Sequence, residues 1–253
     1  MTDILILGAH GQIARVATDL FLSRTDPRLA LYLRNVRRLK SSGHADRVRV
    51  EEGDVLDTTK LEAAMTGQDV VYANLAGQLE QLARCIVQAM EKTGVKRLIF
   101  ISSMGIYDEI PGERHGSILA PYCKSAGIIE ASGLDYTILR PAWLNDRDEI
   151  DYGTTQKGEP FRNAAEQVSR KSVADLVVKL ANKRRQDVRQ PISKRPLHFR
   201  KNTDLASPET HGYCQQVLLS RIQDLRSPHG LLLRTSRLAV DGLIGRQCQF
   251  VLY

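Results

Sequence analysis

The residues most suited to binding a ligand lie in a glycine-containing turn near the start of the chain. A continuous apolar run, Ile4 to Leu7, ends at Gly8, and apolar residues recur at spacings of three and four after Gly11. The first pattern predicts a strand buried on both faces, and the second predicts an amphipathic helix. Glycines in such a turn let the backbone approach a ligand, and the unpaired amides of the helix N-terminus attract an anion. The turn is therefore predicted to bind phosphate.

The expected ligand of this turn is the pyrophosphate of a dinucleotide. The residues assigned to it are Gly8, Ala9, His10, Gly11, Gln12 and Ile13. Ala14 stands where dinucleotide-binding fingerprints carry their last glycine, and its small side chain still permits close packing of helix on strand. A purely structural turn is the alternative, and His10 either contacts the pyrophosphate or fills a permissive turn position.

A second phosphate is expected beside the next strand, residues 29–33. Arg34 follows this strand, near the point about 20 residues beyond the glycines where NAD-binding domains keep an acidic residue for the ribose 2′-hydroxyl. A guanidinium suits a 2′-phosphate in both charge and geometry. Arg37 is assigned to the same phosphate, although a solvated loop charge explains Arg37 and Arg38 equally well. The expected cofactor is therefore NADP(H).

Two residues after the third predicted strand, residues 48–52, are candidates for the adenine. Asp54 is expected to accept a hydrogen bond from the adenine amino group, and Val55 to pack on the ring. Asp54 has an alternative role as the cap of the next helix, but Asp57 and Thr58 are better placed for that.

Strand and helix patterns alternate through the first 182 residues. Further strands are predicted over residues 70–75, 98–102 and 136–139, and helices over residues 59–66, 78–93 and 122–132. This alternation implies a parallel sheet with right-handed crossovers and helices on both faces. The predicted fold class is α/β, a Rossmann-like doubly wound parallel sheet that binds ligands beyond the carboxyl ends of its strands. We expect this NAD(P)-binding domain to span residues 1–193.

Six motifs follow one another in residues 2–182: "GAHGQIA", "LRNVRR", "GDVLD", "NLAG", "IFISSMGIY" and "ASGLDYTILRPAWL". With them the chain resembles an atypical short-chain dehydrogenase/reductase of the NmrA-like, NAD(P)H-binding group, which includes the biliverdin reductase B and flavin reductase type. The resemblance implies that Asn74, Leu75 and Ala76 lie along the cofactor and that Pro141 begins a loop near the nicotinamide. Ser102, at the end of its strand, is also assigned to the cofactor.

The resemblance also points to catalytic residues. In short-chain dehydrogenases a Tyr four residues before a Lys donates a proton, while a Ser orients the substrate carbonyl. Ser103 and Lys124 match the serine and the lysine, but Ala120 stands where the tyrosine is required. Tyr122, the nearest candidate, projects from roughly the opposite helix face unless the helix begins after it. Lys124 is still expected to hold the nicotinamide ribose. A surface lysine and a strand-ending serine are the alternatives.

Two classes of function fit these residues. In the first, the protein is an NADPH-dependent oxidoreductase whose small-molecule acceptor, such as a flavin or a quinone, takes hydride without an enzyme tyrosine. In the second, it is a non-catalytic NADP-sensing regulatory protein of NmrA type that acts on a protein partner. Oxidation of NADPH on adding a flavin or quinone distinguishes the first class from the second. The loop of residues 143–161 is expected to choose the acceptor.

The net positive charge of the chain is concentrated in residues 183–253. Residues 1–182 hold 23 Lys and Arg against 24 Asp and Glu, whereas residues 183–253 hold 13 against 5. Nucleic acid is therefore not an expected partner of residues 1–182.

No stretch approaches the ~20 apolar residues of a membrane span, and a core strand stands where a signal peptide would be. Four widely spaced cysteines without a CxxC pair argue against a metal site and favour a cytoplasmic location.

The pattern changes near the end of the predicted domain. Residues 152–161 are predicted to form a hairpin on the substrate side, and residues 169–183 a helix capped by Ser172. Residues 194–253 are predicted to form a basic C-terminal tail that is atypical of the family. Three explanations compete for this tail: an extension that is swapped between copies or forms a homo-oligomer, a disordered segment, or a shift of the reading frame.

Overall fold

A computed structural model describes residues 1–39, 46–110, 116–159, 167–182 and 247–253. All of these residues belong to one compact unit. The predicted boundary after residue 193 and most of the predicted tail lie outside the described residues, so the division of the chain into two parts stays a prediction.

Helices and strands alternate along the first part of the chain. The described strands are β1 (Asp3–Leu7), β2 (Arg28–Leu33), β3 (Val48–Glu52), β4 (Val70–Ala73), β5 (Arg97–Ile101), β6 (Asp135–Pro141), β7 (Trp143–Asn145), β8 (Thr154–Gln156), β9 (Gln167–Ser169) and β10 (Gln247–Leu252). The described helices are α1 (Gln12–Arg24), α2 (Thr58–Met65), α3 (Leu79–Thr93), α4 (Ala120–Glu130) and α5 (Arg170–Asn182), with a 3-10 helix over Val36–Arg38.

The central sheet has the strand order β3-β2-β1-β4-β5-β6-β10-β8. Its strands pair in parallel, apart from the antiparallel pair of β10 with β8. Strand order reverses at β1, which lies between β2 and β4, and ligands of such sheets bind at this point beyond the carboxyl ends. The predicted Rossmann-like α/β fold is confirmed.

An apolar layer covers each face of the sheet. Ile4 and Ile6 of β1 face the layer that contains α1 and α5, and Leu5 and Leu7 face the layer that contains α2, α3 and α4. All four side chains are fully buried. Burial on both faces explains why this strand is a continuous apolar run rather than an alternating one.

Serine and aspartate side chains set where two of the helices begin. Asp57 accepts a hydrogen bond from the amide of Lys60 at 3.1 Å, which confirms Asp57 as the cap of α2. The cap predicted for α5 at Ser172 is wrong, because Ser169 Oγ accepts from the Ser172 amide at 2.9 Å. The hydroxyl of Ser172 instead donates to the carbonyl of Asp151, so it anchors the preceding loop.

The last strand of the described residues enters the central sheet beside β6. Val251 of β10 pairs with Arg140 on one side and with Thr155 of β8 on the other. Of the hairpin predicted over residues 152–161, the described residues form one strand, β8, which pairs with β10. Residues 160–166 lie outside the described residues.

None of the described helices is both long and apolar enough to cross a membrane.

We expect Leu252→Ala to lower the free energy of unfolding by about 2–5 kcal/mol, as buried leucine truncations do. Leu252 is fully buried in β10, against the layer of α1 and α5. Thermal or urea unfolding measures the change, and Leu56→Ala, at a side chain that is 41% exposed, is the control with an effect within about 0.5 kcal/mol. Equal stability of Leu252→Ala and the wild type would contradict the placement of β10.

Candidate functional site

The turn between β1 and α1 is held by its own main chain. The amides of Gly8 and Ala9 donate to the carbonyl of Tyr32 at 3.0 and 3.4 Å, and the Gly11 amide donates to the Gly8 carbonyl at 2.8 Å. Gly8 has φ +76°, in the left-handed region that favours glycine. The amides of Gly8 and Ala9 thus tie the turn to β2, and the Gly11 amide closes the turn on Gly8. The roles predicted for these residues at the pyrophosphate stay predictions.

The available donors lie one step further, in the first turn of α1. No side chain caps this helix at Gly11, and no acidic residue lies in its first turn. The amides of Gln12 and Ile13 therefore lack helical acceptors and carry the positive end of the helix dipole. Ile13 and Ala9 bury their side chains in the core, so they offer only main chain to a ligand, whereas His10 is half-buried.

Asn74, which follows β4, packs directly over this turn. Its amide donates to the carbonyl of Leu7 at 3.0 Å. A Cβ added at Gly8 would overlap the Asn74 carbonyl oxygen, and one added at Gly11 would overlap the Asn74 side-chain nitrogen. The structure thus brings Asn74 to the glycine turn, with Leu75 half-buried beside it. A cradle that only glycine can line, above free helix amides, fits a dinucleotide pyrophosphate.

The basic loop after β2 lies at the same edge of the sheet. Arg34 directly follows β2 and is exposed, and Arg37 is exposed in the 3-10 helix, where its amide donates to Asn35 Oδ1 at 3.1 Å. Within the described residues, neither guanidinium forms an ion pair. Both are therefore available to an anion such as a ribose 2′-phosphate.

The loop after β3 matches the prediction in part. Asp54 Oδ1 accepts from the amide of Leu56 at 3.0 Å, and the Asp54 carbonyl accepts from the Tyr32 hydroxyl at 2.9 Å. The contacts described for Asp54 leave its second carboxylate oxygen to a ligand. Val55 is only 5% exposed and packs into the core. Its side chain therefore offers little surface to an adenine ring, contrary to the prediction.

The serine pair lies where β5 meets the end of β6. The Ser102 amide donates to the carbonyl of Leu139 at 2.7 Å, and the Met104 amide donates to the carbonyl of Pro141 at 3.2 Å. Ser102 Oγ is buried and has no hydrogen-bond partner in the described part of the chain, which suits it to a cofactor hydroxyl. Ser103 Oγ donates to the Met104 carbonyl at 3.1 Å. The structure thus brings both serines close to Pro141.

Tyr122 and Lys124 lie on different faces of α4, as their spacing predicts. The helix begins at Ala120, before the tyrosine, and Tyr122 packs against the core. Lys124 is exposed, and its Nζ lies 3.2 Å from a carboxylate oxygen of Glu80. Its ammonium therefore pairs with a carboxylate of α3, and the role predicted for Lys124 at the nicotinamide ribose stays a prediction. One turn beyond Tyr122 stands Ala126, so no ammonium faces the tyrosine from that position.

A buried polar cluster beside the serines was not assigned from the sequence. Arg140 of β6 forms an ion pair with Glu109, and the Tyr107 hydroxyl donates to Glu130. Arg140 Cζ lies 4.9 Å from the centre of the Tyr107 ring. Burial raises the pKa of Tyr107, and the contact with Glu130 adds to this, so the phenol stays protonated. The only signal in the sequence was a charged residue inside the apolar stretch "TILRP".

The fold and this edge together define a dinucleotide-binding Rossmann domain. Residues 8–184 match a family described as NAD(P)H-binding. Because the match covers well over half of the chain, this protein belongs to that NAD(P)H-binding family. The predicted class of cofactor is thereby confirmed.

Solved structures with similar sequences share this fold. A Rossmann-fold NAD(P)-binding family protein from Shigella flexneri is 43% identical, with a TM-score of 0.64, and the match covers 72% of this chain and 87% of that one. A wide-type short-chain dehydrogenase/reductase from Veillonella parvula, solved in complex with NADP, is 32% identical over 71% of this chain and 86% of that one, with a TM-score of 0.65.

A curated relative from Bacillus subtilis has the name of an uncharacterized sugar epimerase. It is 27% identical over 191 residues, which are 69% of this chain and 86% of that protein. These similarities place reductase-like and epimerase-like proteins among the relatives of this chain.

We expect Gly11→Ala to weaken the binding of NADPH and NADH to a similar degree, by about tenfold or more, because both share the pyrophosphate. The added Cβ overlaps the Asn74 side chain, which must move over the turn. Gly127→Ala is the matched control, since a Cβ at this α4 position meets no atom within 4 Å. Isothermal titration calorimetry measures the dissociation constants. Unchanged affinities in Gly11→Ala would show that the pyrophosphate does not lie on this turn.

Proposed function

We propose that the protein is an NADPH-dependent reductase that passes hydride to a small planar acceptor, a flavin or a quinone, without a tyrosine acid. The observation that carries this proposal is the pairing of Lys124 with Glu80, 3.2 Å apart, together with alanine one turn beyond Tyr122. The chain thus offers Tyr122 no ammonium from α4 to assist proton donation. Bound NADPH supplies the hydride, and the protein binds and orients the two reactants.

The choice of acceptor follows from where the proton comes from. A carbonyl becomes an alkoxide as hydride arrives, so its reduction depends on an acid placed at the oxygen. An oxidised flavin or quinone gains the hydride as a delocalised anion and then takes its proton from water. For such acceptors, stacking and orientation beside the nicotinamide supply most of the catalysis. This chemistry matches a site without a tyrosine–lysine pair on α4.

We assign the choice of NADPH over NADH to Arg34, with Arg37 beside it. Arg34 is exposed at the carboxyl end of β2, at the edge that carries the glycine turn. An arginine fork gives a phosphate both charge and paired hydrogen bonds. The NADP found in the Veillonella relative supports the same preference here.

A non-catalytic NADP-sensing protein of the NmrA-like group is the second candidate, because a sensor also needs no tyrosine–lysine pair on α4. It predicts a protein partner and no turnover. Sugar epimerisation, suggested by the name of the Bacillus relative, is a weaker candidate. Oxidising a sugar hydroxyl releases a proton that a positioned base must take, and α4 provides no activated tyrosine.

The direct test incubates the purified full chain with NADPH and one acceptor at a time: a flavin, a quinone, an aldehyde or a nucleotide sugar. The nicotinamide absorbance reports oxidation. We expect loss of absorbance with the flavin or quinone and none with the aldehyde. Tight NADPH binding without oxidation by any acceptor would favour the sensor instead.

Arg34→Glu is expected to weaken NADPH binding by about 10–100-fold, the size of a lost charge-assisted hydrogen bond, and to leave NADH binding unchanged or stronger. Arg38→Glu, which makes the same charge change four residues away in the same exposed loop, is the control and should have a much smaller effect. Titration calorimetry gives both affinities. Equal NADPH affinity before and after Arg34→Glu would refute the assigned role.

Tyr122→Phe is expected to leave the rate of flavin or quinone reduction nearly unchanged, because the hydroxyl takes no part in the transfer. Steady-state assays at saturating NADPH measure this rate. A fall of ~100-fold or more, the contribution typical of a general acid, would show that Tyr122 donates the proton after all.

A further inference from the structure

Arg140 is a charged side chain in the interior of the sheet. The residue is 1% exposed, and its Nε has no hydrogen-bond partner within the described residues. Burial lowers the pKa of Arg140, and the nearby Glu109 carboxylate opposes this. Buried ion pairs of this kind add little stability compared with apolar side chains of similar volume. The pair of Arg140 and Glu109 therefore requires an explanation other than stability.

The carboxylate of Glu109 closes a tight turn after β5. Its Oε1 accepts from the Gly105 amide at 3.1 Å, and its Oε2 accepts from the Tyr107 amide at 2.8 Å. Gly105 has φ +85°, and Asp108 has φ +54°, a left-handed conformation that is costly for a residue other than glycine. One carboxylate, held by the Arg140 guanidinium, thus fixes a strained segment.

This turn continues directly from the serine pair. The main chain of β6 holds its first half, since the carbonyls of Leu139 and Pro141 accept from the amides of Ser102 and Met104. Arg140 stands between those two β6 residues and holds the second half of the turn through its side chain. Three consecutive residues of one strand therefore set the height of the serines above the edge of the sheet.

The Tyr107 ring restricts the movement of the guanidinium. Arg140 Cζ lies 4.9 Å from the centre of the Tyr107 ring and makes a cation–π contact with it. Lys157 Nζ lies 4.0 Å from the same ring centre. The Tyr107 hydroxyl is held by Glu130, which also accepts from Lys157 at 2.8 Å. The ion pair consequently has one defined position rather than a set of exchanging ones.

We propose that Arg140 and Glu109 are positioning residues that hold Ser102 and Ser103 in place for NADPH and the acceptor. The inference rests on the proposed reductase function. When the charge pair is lost, the turn relaxes from its left-handed conformation and the serine hydroxyls move. The pyrophosphate and 2′-phosphate sites, built on β1 and β2, keep their geometry.

Glu109→Gln tests this role in the full chain, because it keeps the shape of the side chain and removes its charge. We expect kcat for flavin or quinone reduction to fall by about 10–100-fold, since a displacement of roughly 1 Å has an effect of that order. The dissociation constant of NADPH should rise by less than kcat falls, within about fivefold, because the contacts of the pyrophosphate and of the 2′-phosphate lie away from the serines.

Asp135→Asn is the matched control at the other end of the same strand. Asp135 pairs with Arg97 at 3.4 Å, and both side chains are nearly buried, at 13% and 11% exposure. This variant should lower the melting temperature and leave kcat unchanged. A kcat loss as large as that of Glu109→Gln would overturn the proposal, because destabilisation alone would then explain both variants.

The double variant Arg140→Met with Glu109→Leu separates positioning from stability. The double variant should melt closer to the wild type than Arg140→Met alone, because no buried carboxylate is left without its guanidinium, although the amides of Gly105 and Tyr107 lose their acceptor. Its kcat should stay about 10-fold or more below that of the wild type. Recovery of full kcat in this variant would overturn the proposal, since the turn would then need no charged clamp.

A second measurement tests the positioning without turnover. If the wild type binds NADPH but reduces no acceptor, the proposed reductase function fails. The fluorescence of bound NADPH then tests the positioning role of Arg140 and Glu109 without turnover. At saturating NADPH, Glu109→Gln should lose at least about half of the nicotinamide emission enhancement of the wild type, because the ring is held less tightly beside the serines. Identical emission from the two proteins would overturn the positioning role.

Discussion

The close approach of β4 to the turn between β1 and α1 is the constraint on which the site depends. Asn74 occupies the space that side chains at Gly8 and Gly11 would need. Because Gly8 and Gly11 have no side chains, Asn74 fits against the turn, the turn folds back on Tyr32, and α1 starts with its first amides unpaired. A short apolar strand and two glycines thus create a helix N-terminus with a partial positive charge at the place where the strand order reverses.

The polar groups of the site are brought together by the geometry of a parallel sheet. Every strand of the first part of the chain ends at the same edge, so Arg34, Asp54, Asn74 and Ser102 lie along one line although they are far apart in sequence. The apolar layers below give this edge a rigid base. Beside Ser102 and Ser103 the fold adds a second kind of support, the buried ion pair of Arg140 with Glu109. The site is therefore built from local turns on a rigid base and from one long-range charge pair.

Sequence patterns were sufficient for the features that depend on neighbours along the chain. The burial of β1, the cap at Asp57 and the opposed faces of Tyr122 and Lys124 each follow from periodicity or spacing. Features that depend on distant partners were missed. Burial of Val55 and the partner of Arg140, 31 residues away, are decided by tertiary packing that no local pattern contains. The position of β10 belongs to the same group, because strand pairing joins residues of large sequence separation.

The central claim is that main-chain amides at the start of α1 hold a pyrophosphate while a guanidinium after β2 selects the phosphorylated ribose. Calorimetric titration of the wild-type chain with NADPH and with NADH tests it most directly. The account predicts one site per chain for each nucleotide, with NADPH bound at least about tenfold more tightly. Absence of binding heat at millimolar nucleotide, or equal affinities for the two, would contradict it.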